Sequence, residues 1–272
     1  MDLPISILIV FGAAAVAGLA LALIQWRASG PLLIDSGRGR PMVTVTGTLF
    51  TVVLAFVILS AFNTYDGAKS GGASEANALL GMARTAPLFP AAQRDRMQSD
   101  LVCYGRAVVN EEWPAMRSGR SSPLVDYWVS AYRTELMRLP VKSLREQAGL
   151  QDLLTLDETR TTGRQQRLSD DTPTVPTPLW LALIFGGCVS VALMLGMADP
   201  RERLRILGLM VSGFAAIVAT GLLVVFFLDH PYQQHTGGIQ PSAMRHTLLL
   251  MHNQEPGLHV RCSATGRRLP ST

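Results

Sequence analysis

Four stretches of the chain, residues 3–25, 42–62, 179–198 and 206–228, each run for about twenty residues without Asp, Glu, Lys or Arg. At 1.5 Å rise per residue a helix of that length reaches about 30 Å, the thickness of a bilayer's hydrocarbon core. The pattern predicts an all-α integral membrane protein. Four transmembrane helices form a first hairpin over 1–62 and a second over 179–228. Between them lies a helical insert, residues 63–178, and after them a polar tail, residues 229–272. In the insert the period changes to that of amphipathic helices. Met97, Leu101, Tyr104 and Val108 recur at steps of four, three and four, one helix face. Pro114 is expected to end that helix, with Trp113 before it biased out of the helical region. Ser122 and Pro123 open a second helix whose stripe is Val125, Trp128, Tyr132, Leu136 and Leu139. Residues 141–169 read as a third, more polar helix, with Leu144, Leu150, Leu153 and Leu156 as its contacts. "SDDTPTVPTP" is a proline-rich linker back to the third membrane helix. In the tail a short helix is predicted over 242–253, and "CSATGRRLPST" reads as disordered.

Composition supports the membrane reading. The chain is 48% hydrophobic and 16% charged, where a soluble domain carries about 25% charged residues. The first apolar run lacks the basic n-region of a cleaved signal and is longer than an h-region, so it reads as a retained anchor. The insert holds 14 basic and 14 acidic side chains, a neutral balance that gives no nucleic-acid footprint. Charge bias is instead concentrated in the short hairpin loops. Arg27, Arg38 and Arg40 stand against Asp35, and Arg201, Arg203 and Arg205 against Asp199 and Glu202. Short basic loops stay cytoplasmic, which places the insert and both termini of this multi-pass cell-membrane protein outside. Cys103 and Cys262 lie off the membrane runs and can pair if they share an oxidising compartment, which sequence alone does not decide. Cys188, inside the third run, reads as a small packing residue.

No phosphate-binding loop, dinucleotide fingerprint, zinc-protease helix or nucleophile elbow occurs, so no enzyme, catalytic residue or cofactor is expected. His230, His235, His246, His252 and His259 are spaced by 5, 11, 6 and 7 residues. No two share a helical turn, and no metal site is expected. The candidate chemistry lies at the edge of the second membrane helix, in "SAFNTYDGAKSGGASEANAL". Asn63, Tyr65, Asp66, Lys69 and Glu75 are candidates for a pore mouth, and a solvated helical extension is the competing reading. Small and hydroxyl residues recur in the membrane helices at steps of three and four. Ala14, Gly18 and Ala22 form one such stripe, Thr44, Thr48, Thr51 and Ala55 a second, and Gly208, Ser212, Ala216 and Thr220 a third. Such stripes drive helix packing or line a narrow pore. Two functions follow. One is an oligomeric ion channel or pore. The other is a non-conducting membrane protein whose insert binds a partner or senses the envelope. The partners expected are the lipid bilayer, further copies of the chain and, in the first case, ions.

The run "NTYDGAKSGGASEANALLGMARTAPLFPAAQRDRMQSDLVCYGRAVVNEEWPAM", with "LVVFFLDHPYQQHTGGIQPSAM" much later, resembles a bacterial membrane family of bestrophin-like domains of unknown function. The markers are Tyr65–Asp66 and Glu75, Glu112–Trp113–Pro114, and Leu228–Asp229–x–Pro231. Similarity to true bestrophins, oligomeric anion channels, is remoter and implies two membrane hairpins around a helical insert. Two features depart from them. This chain has no acidic cluster like the bestrophin calcium clasp, and the arginine bias puts outside an insert that bestrophins keep in the cytoplasm.

Overall fold

The computed structural model describes residues 3–27, 36–169, 175–196, 204–233 and 237–269. The chain divides into two compact units. The first comprises Met1–Thr64, Pro173–His230 and Gln234–Gly238; the second comprises Tyr65–Thr172, Pro231–Gln233 and Ile239–Thr272. Among the described residues β-structure amounts to one isolated bridge, Cys262 with Arg268.

The first unit contains α1 (Leu3–Arg27), the start of α2 (Ser36–Thr85), α7 (Thr177–Gly196) and α8 (Leu204–Asp229). These match the four apolar runs, and each is long and apolar enough to cross a membrane. A helix suits that medium because it satisfies its own backbone polar groups. The helices expose large apolar side chains, with Leu8, Phe11, Phe56, Phe185 and Leu209 each more than two-thirds accessible. Between helices the contacts are small. α1 meets α8 through buried Ala17, Leu21, Val211 and Ala215, and a methyl group on Gly18 would stand 2.8 Å from Ser212 Oγ. A second cluster joins Phe50, Val57 and Ala61 of α2 to Leu183 of α7 and to Val218 and Val225 of α8. At the end of α8, buried Asp229 accepts from the Val175 backbone N–H at 3.0 Å and the Trp180 indole at 3.3 Å. It thereby holds the entry to α7.

The second unit begins inside α2. The apolar run ends near residue 62, and α2 runs on to Thr85 as a helical extension, one of the two readings of residues 60–79. Glu75, buried within it, departs from the solvated part of that reading. Against this extension pack α3 (Ala91–Ala107), α4 (Trp113–Met116), α5 (Pro123–Met137), α6 (Leu144–Ser169) and α9 (Ser242–Gln254). The predicted stripes of α3 and α5 are buried. Pro114 does not end the helical run as expected, and Trp113 before it stays helical. A single π-turn, Val108–Glu112, precedes α4 and carries Pro114 into its first turn. The wider turn absorbs a residue that has no N–H and would clash with the carbonyl four before it. α6 also departs from its expected contacts. Leu153 is fully buried, but Leu144 is 85% exposed, and the buried positions toward the C-terminal end are Asp157, Arg160, Gly163 and Arg167.

Most of the tail, from Ile239 on, belongs to the second unit, and its described residues 258–269 are packed there, against the disorder expected of the last stretch. Cys262 is disulfide-bonded to Cys103 on α3. The Trp128 indole donates to the Gly266 carbonyl at 2.7 Å. Gly266 has φ +81°, and a Cβ there would fall 2.5 Å from the Ala107 backbone nitrogen, so only glycine fits.

Candidate functional site

α2 carries the candidate pore residues, and its phase sorts them. At about 100° per residue, Thr44, Thr48 and Thr51 form one strip in the first unit, and Asp66 and Lys69 share a helix face in the second. All five are exposed. The buried Phe50, Val57 and Ala61 lie about 130° round the helix from the threonines. Thr51 donates its hydroxyl to the Gly47 carbonyl at 2.8 Å, satisfying its proton within the helix. Asn63 is exposed and Tyr65 half-buried.

Glu75 parts from this group. Nine residues beyond Asp66, it lies about half a turn round the helix and is fully buried. The grouping of Glu75 with the exposed charges is therefore corrected: the structure brings it to a different cluster. On α8, Gly208 faces Leu21, and Ser212 faces Gly18 of α1. Ala216 is half-buried, while Thr220 is exposed and donates to the Ala216 carbonyl at 2.7 Å. The amino-terminal half of that stripe is thus a helix-packing surface.

Around Glu75 the second unit holds an ionic chain absent from the sequence-based expectations. Arg167, fully buried on α6, donates Nε to Glu75 Oε2 at 2.7 Å and Nη2 to Glu112 Oε2 at 2.6 Å. Its guanidinium lies 5.0 Å from the centre of the Trp113 ring. Arg164 binds the other oxygen of Glu112 and reaches Asp126 at 2.7 Å. On the other side the Tyr104 hydroxyl donates to Glu75 Oε1. Arg160 donates to that hydroxyl at 3.3 Å and holds Asp157 at 2.6 Å, and Arg133 completes the chain on Asp157 at 3.0 Å. Four arginines balance four carboxylates, so the cluster is neutral in sum.

The electrostatics follow from that pairing. Burial alone would raise the Glu112 carboxyl, but Arg167 and Arg164 outweigh it and hold the group below its usual range. Burial disfavours the Arg167 charge, yet Glu75 and Glu112 raise its pKa still further above the ordinary value. Both groups stay ionised at any physiological pH. α6 comes close enough to α2 for these bonds because two glycines meet there. A Cβ on Gly163 would lie 2.7 Å from the Gly71 carbonyl oxygen and 2.8 Å from the Glu75 nitrogen.

Elsewhere Asp100, buried on α3, binds Arg261 at 2.7 Å through Oδ1, while its Oδ2 has no partner. Burial pushes this carboxyl up to about 6, against the pull of Arg261. Among the described residues no group of three His, Cys, Asp or Glu is placed to hold a metal. His235 and the loop residues 28–35 and 197–203, with Asp35, Asp199, Arg201, Glu202 and Arg203, fall outside the described residues.

The sequence model of the Bestrophin-like domain matches residues 9–243. No curated protein matches the chain. Among solved structures it is similar to a bacterial bestrophin homologue from Klebsiella pneumoniae solved by Zn-SAD phasing. That match has a TM-score of 0.62 at 14% identity and covers 97% of this chain and 99% of the other. A tryptophan-to-alanine variant of the homologue gives 0.64 at 14% identity, covering 92% and 96%. A membrane protein with a proline-to-alanine substitution gives 0.66 at 15% identity, covering 93% and 98%.

Proposed function

The chain belongs to the bestrophin-like family, and we propose that this bestrophin-type membrane protein assembles with copies of itself into an ion-conducting pore. The observation that carries the reading is the strip of exposed hydroxyls on α2. Thr44, Thr48 and Thr51 stand clear of the face that packs within the first unit. In an oligomer that strip faces the axis and offers hydroxyl oxygens to a hydrated ion. Asn63, Tyr65, Asp66 and Lys69 follow at the mouth, where Asp66 sets the local potential. Gly208 and Ser212 serve packing, as their contacts with α1 indicate.

The second unit lies outside the cytoplasm in this reading. A disulfide between Cys103 and Cys262 supports that orientation independently of the arginine loops, because disulfides persist in oxidising compartments and are rare in the cytosol.

The test is the purified protein's mass in detergent, followed by anion and cation flux in vesicles. An oligomer that conducts, with ion preference altered by Asp66→Lys, supports the pore. A monomer, or a wild type that passes no ion over several salts and pH values, contradicts it.

A second reading has its own observation. At the α5–α6 turn Met137 is 81%, Val141 47% and Leu144 85% exposed. An apolar patch on the second unit suits a non-conducting protein that docks a partner there. Loss of partner capture on Met137→Ser and Leu144→Ser, with no flux from wild type, would select it.

A further inference from the structure

A cleft of about 970 Å³ opens in the second unit between α3, α5 and the closing segment of the chain. Its walls are fixed. The disulfide anchors Cys262, the Trp128 indole holds Gly266, and the Arg261 backbone N–H donates to Ser99 Oγ at 2.9 Å. The cleft brings two carboxylates, Asp100 and Glu135, into one space with two guanidiniums, Arg261 and Arg268.

Two of these groups are incompletely paired. Asp100 is 1% exposed and spends only Oδ1, on Arg261, leaving the buried Oδ2 without a donor. Arg268 has no carboxylate partner among the described residues and stacks 4.6 Å from the centre of the Tyr127 ring. A buried acceptor without a donor is costly. An unpaired guanidinium on an aromatic wall is a ready receiver for a planar carboxylate. A lone cation would satisfy the first group but meet both arginines, and a lone anion would satisfy the second but meet both acids.

We infer that this cleft binds a small zwitterion, an α-amino acid or short peptide, its ammonium on Asp100 and its carboxylate on Arg268. The ligand's side chain lies along Tyr127 and Leu269, apolar surface that the cleft offers beside the charges. The raised Asp100 carboxyl fits a group whose second oxygen waits for a donor. The inference is independent of whether α2 lines a pore.

The experiment uses the full chain in detergent at pH 7.5. The twenty L-amino acids and a set of dipeptides are screened by thermal shift, and the best is titrated by equilibrium dialysis. Its two single-charge analogues, one lacking the carboxylate and one lacking the amine, are titrated beside it. The zwitterion should bind saturably and each analogue at least about tenfold more weakly, the weight of one charged hydrogen bond. Asp100→Asn and Arg268→Ala should each cost a similar factor. Thr134→Trp, at an exposed α5 position lining the cleft, should abolish binding without entering the core. If Asp100→Asn does not fold, Arg268→Ala and Thr134→Trp decide. No binding across the panel overturns the inference. So does equal binding of an analogue, or binding that Thr134→Trp leaves intact.

Discussion

Arg167→Met would strip the buried ionic chain of the guanidinium that Glu75 and Glu112 share. The two carboxylates are not left alike. Glu112 retains Arg164 and the Ser122 backbone N–H at 3.3 Å. Glu75, fully buried, retains the Tyr104 hydroxyl. Glu75 thus becomes a buried charge with no cation in direct contact, and breaking a buried pair in this way costs about 3–5 kcal/mol. Glu75→Gln alone is milder. Arg167 still has Glu112 at 2.6 Å, and the amide still accepts a hydrogen bond, so about 1–3 kcal/mol is expected. The double variant should be less destabilised than Arg167→Met alone, because neither charge is then stranded. The two losses should therefore miss additivity by about 2 kcal/mol or more. The assay is unfolding of the full chain in detergent, followed by tryptophan fluorescence. Trp113, beneath the guanidinium, should shift its emission with Arg167→Met before any heating. A double variant whose loss equals the two single losses added together would refute the reasoning: the chain would be a set of independent pairs.

Gly163→Ala should cost about 1–3 kcal/mol of stability as overpacking, since its Cβ meets the backbone of Gly71 and Glu75; an unchanged thermal midpoint would mean that the two helices are further apart. Asp100 makes the second unit sensitive to pH in a defined direction. Its folded pKa is raised from 3.8 to about 6, so its contribution is fully present below 3.8 and is lost as pH rises through 6. At about 1.4 kcal/mol per pH unit the full loss is about 3 kcal/mol; part of it has already occurred by pH 4, so denaturation curves at pH 4 and 7.5 should show the wild type losing roughly 2 kcal/mol more than Asp100→Asn. Ser212→Leu should wedge α8 from Gly18 and lower the yield of folded protein, whereas Leu209→Phe, at a position 76% exposed, should leave yield unchanged.

The four membrane helices are legible in the sequence because a charge-free run of bilayer length fits little besides a membrane span. The continuation of α2 is harder to see, since after Phe62 polar and glycine residues break the apolar run. A signal is nevertheless present. Ala61, Ala68, Glu75, Met82 and Phe89 recur at intervals of seven, and all are buried. That repeat puts Glu75 on the core side of the helix, while Asp66 falls on an exposed face. The stripe of α6 is illegible for a different reason. Its buried members near the end are arginines and a glycine, and an arginine enters a core only with its acids. Glu75 lies 92 residues from Arg167 and Glu112 lies 55, so the pairing appears only once the helices are assembled. The closing segment reads as disordered because its order comes from Cys103, 159 residues away, and from one indole on α5.

The central claim, that the threonine strip of α2 faces water on an ion path, is tested most directly by cysteine modification at adjacent positions. In a Cys188→Ser background, which removes the free thiol, Thr48→Cys and Leu49→Cys sit at nearly the same depth but about 100° apart round the helix. Both residues are exposed in the single chain. A charged, water-soluble thiol reagent applied to reconstituted vesicles should react at position 48 and cut ion flux sharply, and should leave flux through Leu49→Cys unchanged. Flux that survives full modification at 48, or falls equally at both positions, would contradict the account.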